Sequence, residues 1–184
     1  GFNVCGFKKY YLSDNPSKRC SFTMLASNLL ERKRVYNSQL TNGSEGGWAM
    51  SELNTFLNTR VYNAMPVQIK LLMKQVTVSS SIGKRSTEIS TSECHIFIPS
   101  AIEVSNEDPY NGEPYVNEAT YTISYMIAAD NRKRADASNV YYSYWLRSPF
   151  ATYDNYILAV NSVGEVYGYQ TAQTSYGVLL EICF

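Results

Sequence analysis

The order of apolar and polar positions changes several times along the chain. From Cys20 to Leu30, "CSFTMLASNLL" mixes β-branched and apolar residues directly after a Ser/Asp/Asn/Pro turn at Ser13 to Ser17, a pattern that predicts a strand running into irregular chain. "TNGSEGG" reads as a loop. From Trp48, "WAMSELNTFLNTRVYNAM" sets Leu53, Phe56, Leu57, Val61 and Ala64 at helical spacing, which predicts a helix with one buried face. Pro66 suits the first turn of a second helix, "PVQIKLLMKQ", with Ile69, Leu72 and Met73 as its apolar stripe. A short strand, "VTV", a Ser/Thr-rich loop from Ser79 to Ser92 and a strand at "HIFI" closed by Pro99 follow. Residues Ala101 to Asn139 are polar and broken by Pro109, Gly112 and Pro114, so they read as long loops around a short helical piece. The last third alternates. Leu158 and Val160 point one way, Ala159 and Asn161 the other; after a turn at "NSVG", Val166 opposes Tyr167 and Tyr169, and the apolar "GVLLEICF" ends in the core. The expected architecture is α+β: short antiparallel strands with one or two helices and long irregular loops.

Composition narrows what such a domain does. A chain of 184 residues fits one domain spanning 1–184. Its opening, "GFNVCGFKKYYLSDN", reads as entry into the middle of a longer protein of which this is the C-terminal part. Sixteen basic side chains offset sixteen acidic ones, which argues against nucleic acid as a partner, because phosphate binding needs a basic face. The short runs "ERKR" (Glu31 to Arg34) and "NRKR" (Asn131 to Arg134) read as solvated surface turns. No apolar run reaches the ~18 residues of a membrane span, so membrane insertion is not expected. Cys5, Cys20, Cys94 and Cys183 stand far apart without a CxxC spacing, which favours reduced thiols over a metal or redox site.

Tyrosine is the unusual component. The segment from Tyr141 to Val178 holds eight of the sixteen tyrosines but only three charged side chains. Tyrosine offers a large apolar face and a hydroxyl at little cost in rotamer entropy, which suits a binding surface. Eight of them exceed what one core can fill, so Tyr153, Tyr156, Tyr167 and Tyr169 are expected to serve surface recognition. Trp48 and Trp145 sit inside apolar motifs and read as core anchors. Arg147, flanked by hydrophobic positions on a strand, predicts a buried or half-buried ion pair with Glu103 or Glu52. The single histidine, His95, cannot build a His-rich metal centre or an obvious catalytic triad, so its expected role is structural or at the surface.

Five motifs, in order, carry a resemblance: "GGWAMSELNTFLN", "HIFIPSAIEV", "YWLRSP", "VNSVGEV" and "YGVLLEICF". They resemble a bacterial and phage family with a Gly-Gly-Trp-x-x-Ser-x-Leu helix start, an IFLPS-like strand, a WLRSP-like strand and a terminal GVRPA-like strand. Asn54 departs from the Arg common there, and Leu179 and Leu180 replace the usual Arg-Pro. The resemblance implies a C-type lectin-like fold, as in the wider group containing formylglycine-generating enzyme and the variable proteins of diversity-generating retroelements. In those retroelements adenines of the template are randomised, and the varied positions derive from AAY codons, which cannot become Lys, Glu, Gln, Met or Trp.

That resemblance makes 141–178 a candidate variable ligand-binding segment. Its expected contact residues are Tyr142, Tyr144, Phe150, Thr152, Tyr153, Asp154, Asn155, Tyr156, Ala159, Asn161, Val163, Tyr167, Tyr169, Thr171, Thr174 and Tyr176. Glu165, Gln170 and Gln173 are unreachable from such codons and belong to the frame or count against the idea. The implied function is non-enzymatic recognition of a protein or other cell-surface target, at a phage tail tip or bacterial surface, with oligomerisation left open. An undiversified carbohydrate-binding or structural module of the same fold is the alternative. A formylglycine-generating-enzyme-like oxidase is a further one, although the paired late cysteines of those enzymes are reduced here to Cys183, with Cys94 its nearest cysteine in sequence. Calcium-dependent sugar sites of this fold use Glu-Pro-Asn-like and Trp-Asn-Asp-like clusters; the chain offers only "EPY" at Glu113 to Tyr115, so no metal or other cofactor is expected.

Overall fold

The computed structural model of the chain describes residues 1–39, 43–83, 86, 88–106, 122–150 and 153–184, with the Tyr169 side chain outside that description. The helical part starts at Ser51, whose Oγ accepts a hydrogen bond from the Asn54 amide at 3.0 Å and so satisfies a donor that a helix leaves unpaired at its beginning. Helix α1 (Glu52–Phe56), a π-helical turn (Leu57–Val61) and α2 (Tyr62–Ala64) follow one another. Leu53 and Leu57 carry the buried face; Phe56 and Val61 are half-buried and Ala64 is exposed. Within the π turn Asn58 reaches across the fold, donating from Nδ2 to the Ile96 carbonyl at 2.8 Å and accepting from the His95 and Ile96 amides. The Gly-Gly-Trp preceding this helix has its own reason. Gly47 lies at φ +56°, and a Cβ there would stand 1.8 Å from the Ser81 carbonyl oxygen. That approach brings the Trp48 amide to the Ser80 hydroxyl at 3.1 Å and buries the indole completely.

Three antiparallel sheets make the rest. Strands β1 (Phe2–Phe7), β2 (Phe22–Ala26), β5 (Ile96–Phe97) and β9 (Glu181–Cys183) form one sheet in the order β1-β2-β9-β5. The last strand is therefore central, between two strands from earlier in the chain, in keeping with the apolar "GVLLEICF". β3 (Val76–Ser81) and β4 (Ile89–Cys94) pair as a hairpin, and β6 (Tyr144–Pro149), β7 (Tyr156–Val160) and β8 (Val166–Thr171) form the third sheet. A parallel bridge between Tyr144 and Gly177 ties β6 to the segment leading into β9. Short helices α3 (Val67–Lys70), α4 (Ala101–Ser105) and α5 (Ala129–Arg132) fill the connections. The described chain is thus an α+β fold of short antiparallel sheets and few short helices.

A buried ion pair joins these parts. Arg147 on β6 and Glu103 on α4 are both inaccessible to solvent, and the guanidinium meets the carboxylate at 2.6 and 2.9 Å through two nitrogens. Two further guanidinium donors reach the Ile98 and Ser79 carbonyls, so the charge is held by backbone oxygens as well as by the carboxylate. Glu103 also completes a capping box with Ser100 and accepts from the Tyr10 hydroxyl. Burial disfavours charge on Arg147, but Glu103 outweighs it and holds the guanidinium pKa above its ordinary value. Of the two carboxylates the sequence offered, Glu103 is the partner; Glu52 is exposed and accepts from the Ser38 backbone and hydroxyl.

Two expected elements differ. The Ser/Thr-rich stretch from Ser79 to Ser92 contributes to the β3–β4 hairpin instead of a loop, because its hydroxyls supply hydrogen bonds inside the fold: Ser80 is buried and serves Trp48. The expected stripe on the second helix holds only at Met73, 5% exposed, whereas Ile69 is 39% and Leu72 60% exposed. The helix is a single short turn, too brief to lay a stripe against the core.

Candidate binding surface

The segment 141–178 supplies β6, β7 and β8, and the pairing of the last two decides where its tyrosines go. Tyr156 lies opposite Thr171 and Ile157 opposite Gln170, but Ala159 lies opposite Tyr167 and Val160 opposite Val166. Leu158 therefore faces two residues, Gly168 and Tyr169, which form a β-bulge. Side chains alternate along a strand, so one extra residue reverses the faces beyond it. Tyr156 and Thr171 share one face of the sheet; Tyr167 and Ala159 share the other.

Two separate aromatic clusters result. On one side, Tyr153 stacks on Phe150 with ring centroids 5.5 Å apart, and Tyr156 closes the group at 5.0 Å from Tyr153 and 6.5 Å from Phe150. Phe150 is buried, Tyr156 half-buried and Tyr153 45% exposed, so the cluster grades from core to solvent. Its backbone is pinned: the Asp154 carbonyl accepts from the Ser44 amide and hydroxyl, and the Asn155 carbonyl accepts from the Ala172 amide. On the other side, Tyr176 packs against Trp145 at 4.8 Å and its hydroxyl accepts from that of Tyr167 at 2.7 Å. Burial, then the neighbouring Tyr167, raises the Tyr176 pKa above the usual phenol value. Tyr142 belongs to neither cluster; the Lys33 ammonium lies 3.8 Å above its ring.

The remaining expected contact residues divide by burial. Val163 is exposed, and Asp154, Asn155, Asn161, Thr171 and Thr174 are half-buried. Three lie inside instead: Tyr144 and Ala159 are inaccessible and Phe150 is 4% exposed, so none of these can meet a partner on the surface. Tyr144 instead donates from its hydroxyl to the Arg132 carbonyl, and β7 is covered on both faces from Ile157 to Val160. The expected alternation of buried and solvent-facing positions there is thus absent. Asn161 is half-accessible but committed to its turn, accepting from the Val163 and Glu165 amides and donating to the Glu165 carboxylate. Thr152 and the Tyr169 side chain lie outside the described residues.

Two features escaped the sequence. The sulfur atoms of Cys20 and Cys183 lie 3.0 Å apart in the core, so the spatial neighbour of Cys183 is Cys20 and not Cys94. The Cys183 thiol draws the Cys20 pKa down to about 6, while burial pushes Cys183 up. The second feature is Arg34, whose guanidinium lies 4.1 Å above the Phe56 ring beside a cavity of about 290 Å³. Its signal was the "ERKR" run. His95 stacks on Tyr62 at 4.2 Å, and burial lowers its pKa. Among the described residues, no group of three or more His, Cys, Asp or Glu side chains is placed to hold a metal ion, and no helix is long and apolar enough to cross a membrane.

A family model described as "Domain of unknown function (DUF6273)" matches residues 21–179. The chain belongs to this family. In this DUF6273 domain the match runs from the start of β2 to just before β9, and so takes in both aromatic clusters and the buried ion pair. No curated protein and no solved structure matches the chain.

Proposed function

We propose that this DUF6273 domain is a non-enzymatic ligand-binding protein of C-type lectin-like fold, resembling the variable proteins of diversity-generating retroelements. Its segment 141–178 recognises a protein or other cell-surface target, in the setting of a phage tail tip or a bacterial surface. The observation that carries the reading is the graded cluster Phe150–Tyr156–Tyr153, in which an exposed tyrosine rests on a buried ring and a pinned backbone. Such an anchor loses little freedom on binding, which is how aromatic hot spots gain affinity. The bulge in β8 supports a narrower site than the sequence suggests. Tyr153 and Tyr156 form one recognition patch, and Tyr167 with Tyr176 forms another.

The test compares sibling copies of the coding sequence and its neighbourhood. They are expected to differ at Tyr153, Asp154, Asn155, Tyr156, Val163 and Tyr167 and to agree at Trp145, Leu146, Arg147 and Gly164, beside a reverse transcriptase gene and an adenine-rich near-repeat. Identical siblings with neither neighbour would overturn the diversified reading.

A further inference from the structure

Outside the tyrosine clusters, the cavity beside Phe56 collects three arginines, Arg32, Arg34 and Arg60, against a single carboxylate, Glu31. No side-chain hydrogen bond or ion pair to a described residue engages any of the three; Glu103 is paired with Arg147, and Glu52, which lines neighbouring clefts with Arg34, Phe56 and Arg60, accepts from Ser38. Arg34 is the most constrained of them. Its amide donates to the Tyr176 carbonyl at 2.7 Å, and its own carbonyl accepts from the Tyr176 amide and from the Trp145 indole nitrogen. The core thus holds the backbone while the guanidinium lies over the Phe56 ring. There its Nε atom is buried and without a hydrogen-bond partner. A buried donor left unmade is costly, and Arg34 carries its charge into the lining of the cavity, where an entering anion would meet it.

The walls specify what that acceptor is attached to. Leu30, Val61 and Ala64 join Phe56 in lining the cavity, so the arginines border an apolar floor. The volume, about 290 Å³, suits a small molecule. We infer that this cavity binds a small organic anion, with a carboxylate or phosphate group held by Arg34 and its neighbours and an apolar or aromatic body against Phe56. The planar guanidinium fork matches both head groups. No tyrosine lines this site, although the Arg34 backbone is bridged to Tyr176, and the inference goes beyond the function proposed above.

Titration of the domain with phenyl phosphate, benzoate, inorganic phosphate and benzylamine, followed by amide chemical shifts, tests it. Phenyl phosphate or benzoate is expected to shift the residues around Phe56, and the tighter of the two names the head group. Benzylamine is expected to leave them unmoved. Arg34→Ala should weaken the binding roughly tenfold or more, as expected for a lost charge-assisted contact, and Arg34→Lys should restore only part of it because the fork is gone. Because Arg34 touches the core, Arg60→Gln, an exposed position, gives an independent variant that should also weaken binding without changing the melting temperature. The inference is overturned if neither aromatic anion binds, if both variants bind as the parent does, or if inorganic phosphate binds as tightly as phenyl phosphate, which would deny the apolar floor a role.

Discussion

Trp145 and Tyr153 belong to the same aromatic-rich stretch, and they stand at opposite ends of what the fold requires. Trp145 is inaccessible, its indole nitrogen donates to the Arg34 carbonyl, and its ring packs against both Tyr36 and Tyr176. Tyr153 is 45% exposed, and its ring rests on the rim of the core through Phe150 and Tyr156. Arg147 lies with Trp145 on β6, where the strand is buried at every position. The difference teaches that tyrosine content alone does not define a recognition surface. The same segment contains a frame whose side chains are fixed by mutual burial and hydrogen bonding, and a smaller set whose loss would leave the fold standing.

Substitutions on the two sides should separate widely. The largest effect is expected at Arg147→Ala, which strands Glu103 as an uncompensated buried charge and should cost about 3–5 kcal/mol in urea unfolding. Replacing both partners, Arg147→Met with Glu103→Leu, should cost less than the single change; a double variant as unstable as the single one would show that the frame depends on more than the pair. Gly47→Ala should cost about 2 kcal/mol, since a left-handed backbone and the approach to Ser81 both resist a Cβ, and a smaller loss would mean that β3 gives way. On the other side, Tyr153→Ala should alter stability by less than ~0.5 kcal/mol, the range of surface substitutions. A loss like that of Arg147→Ala would erase the distinction.

The smallest expected effect is a pH dependence. His95 has its pKa lowered by burial, so the unfolded chain takes up its proton first as pH falls. Its contribution to stability is present above the ordinary value of 6.5 and is lost as pH falls through the folded value. His95→Phe should flatten that part of the stability profile while keeping the ring contact with Tyr62.

How much of this was legible in the sequence depended on the range of the signal. The helix carrying Leu53 and Leu57, the strands around Met24, Ile96 and Ile182, the burial of both tryptophans and a buried ion pair at Arg147 could be read because each follows from local pattern or from a charge in an apolar run, whereas the helix start at Ser51 instead of Trp48 and the choice of Glu103 over Glu52 needed the fold. The Ser79–Ser92 hairpin could not, since its buried serines are polar by composition and become strand residues only through partners such as Trp48. The contact between Cys20 and Cys183 forms between residues 163 apart and leaves no local mark. The division of the tyrosines rests on one extra residue in β8, and a bulge shifts register without changing the alternation that a sequence displays. Arg34 was visible as charge, but its place over Phe56 depends on the bridge to Tyr176.

Saturation mutagenesis of residues 141–178, read out as resistance of the folded domain to protease, tests the division most directly. Near-complete intolerance is expected at Trp145, Arg147, Ala159 and Gly164, where a Cβ would stand 1.9 Å from the Ala129 carbonyl oxygen, and broad tolerance at Tyr153 and Val163. Intolerance at Tyr153 and Val163 equal to that at Trp145 would contradict it.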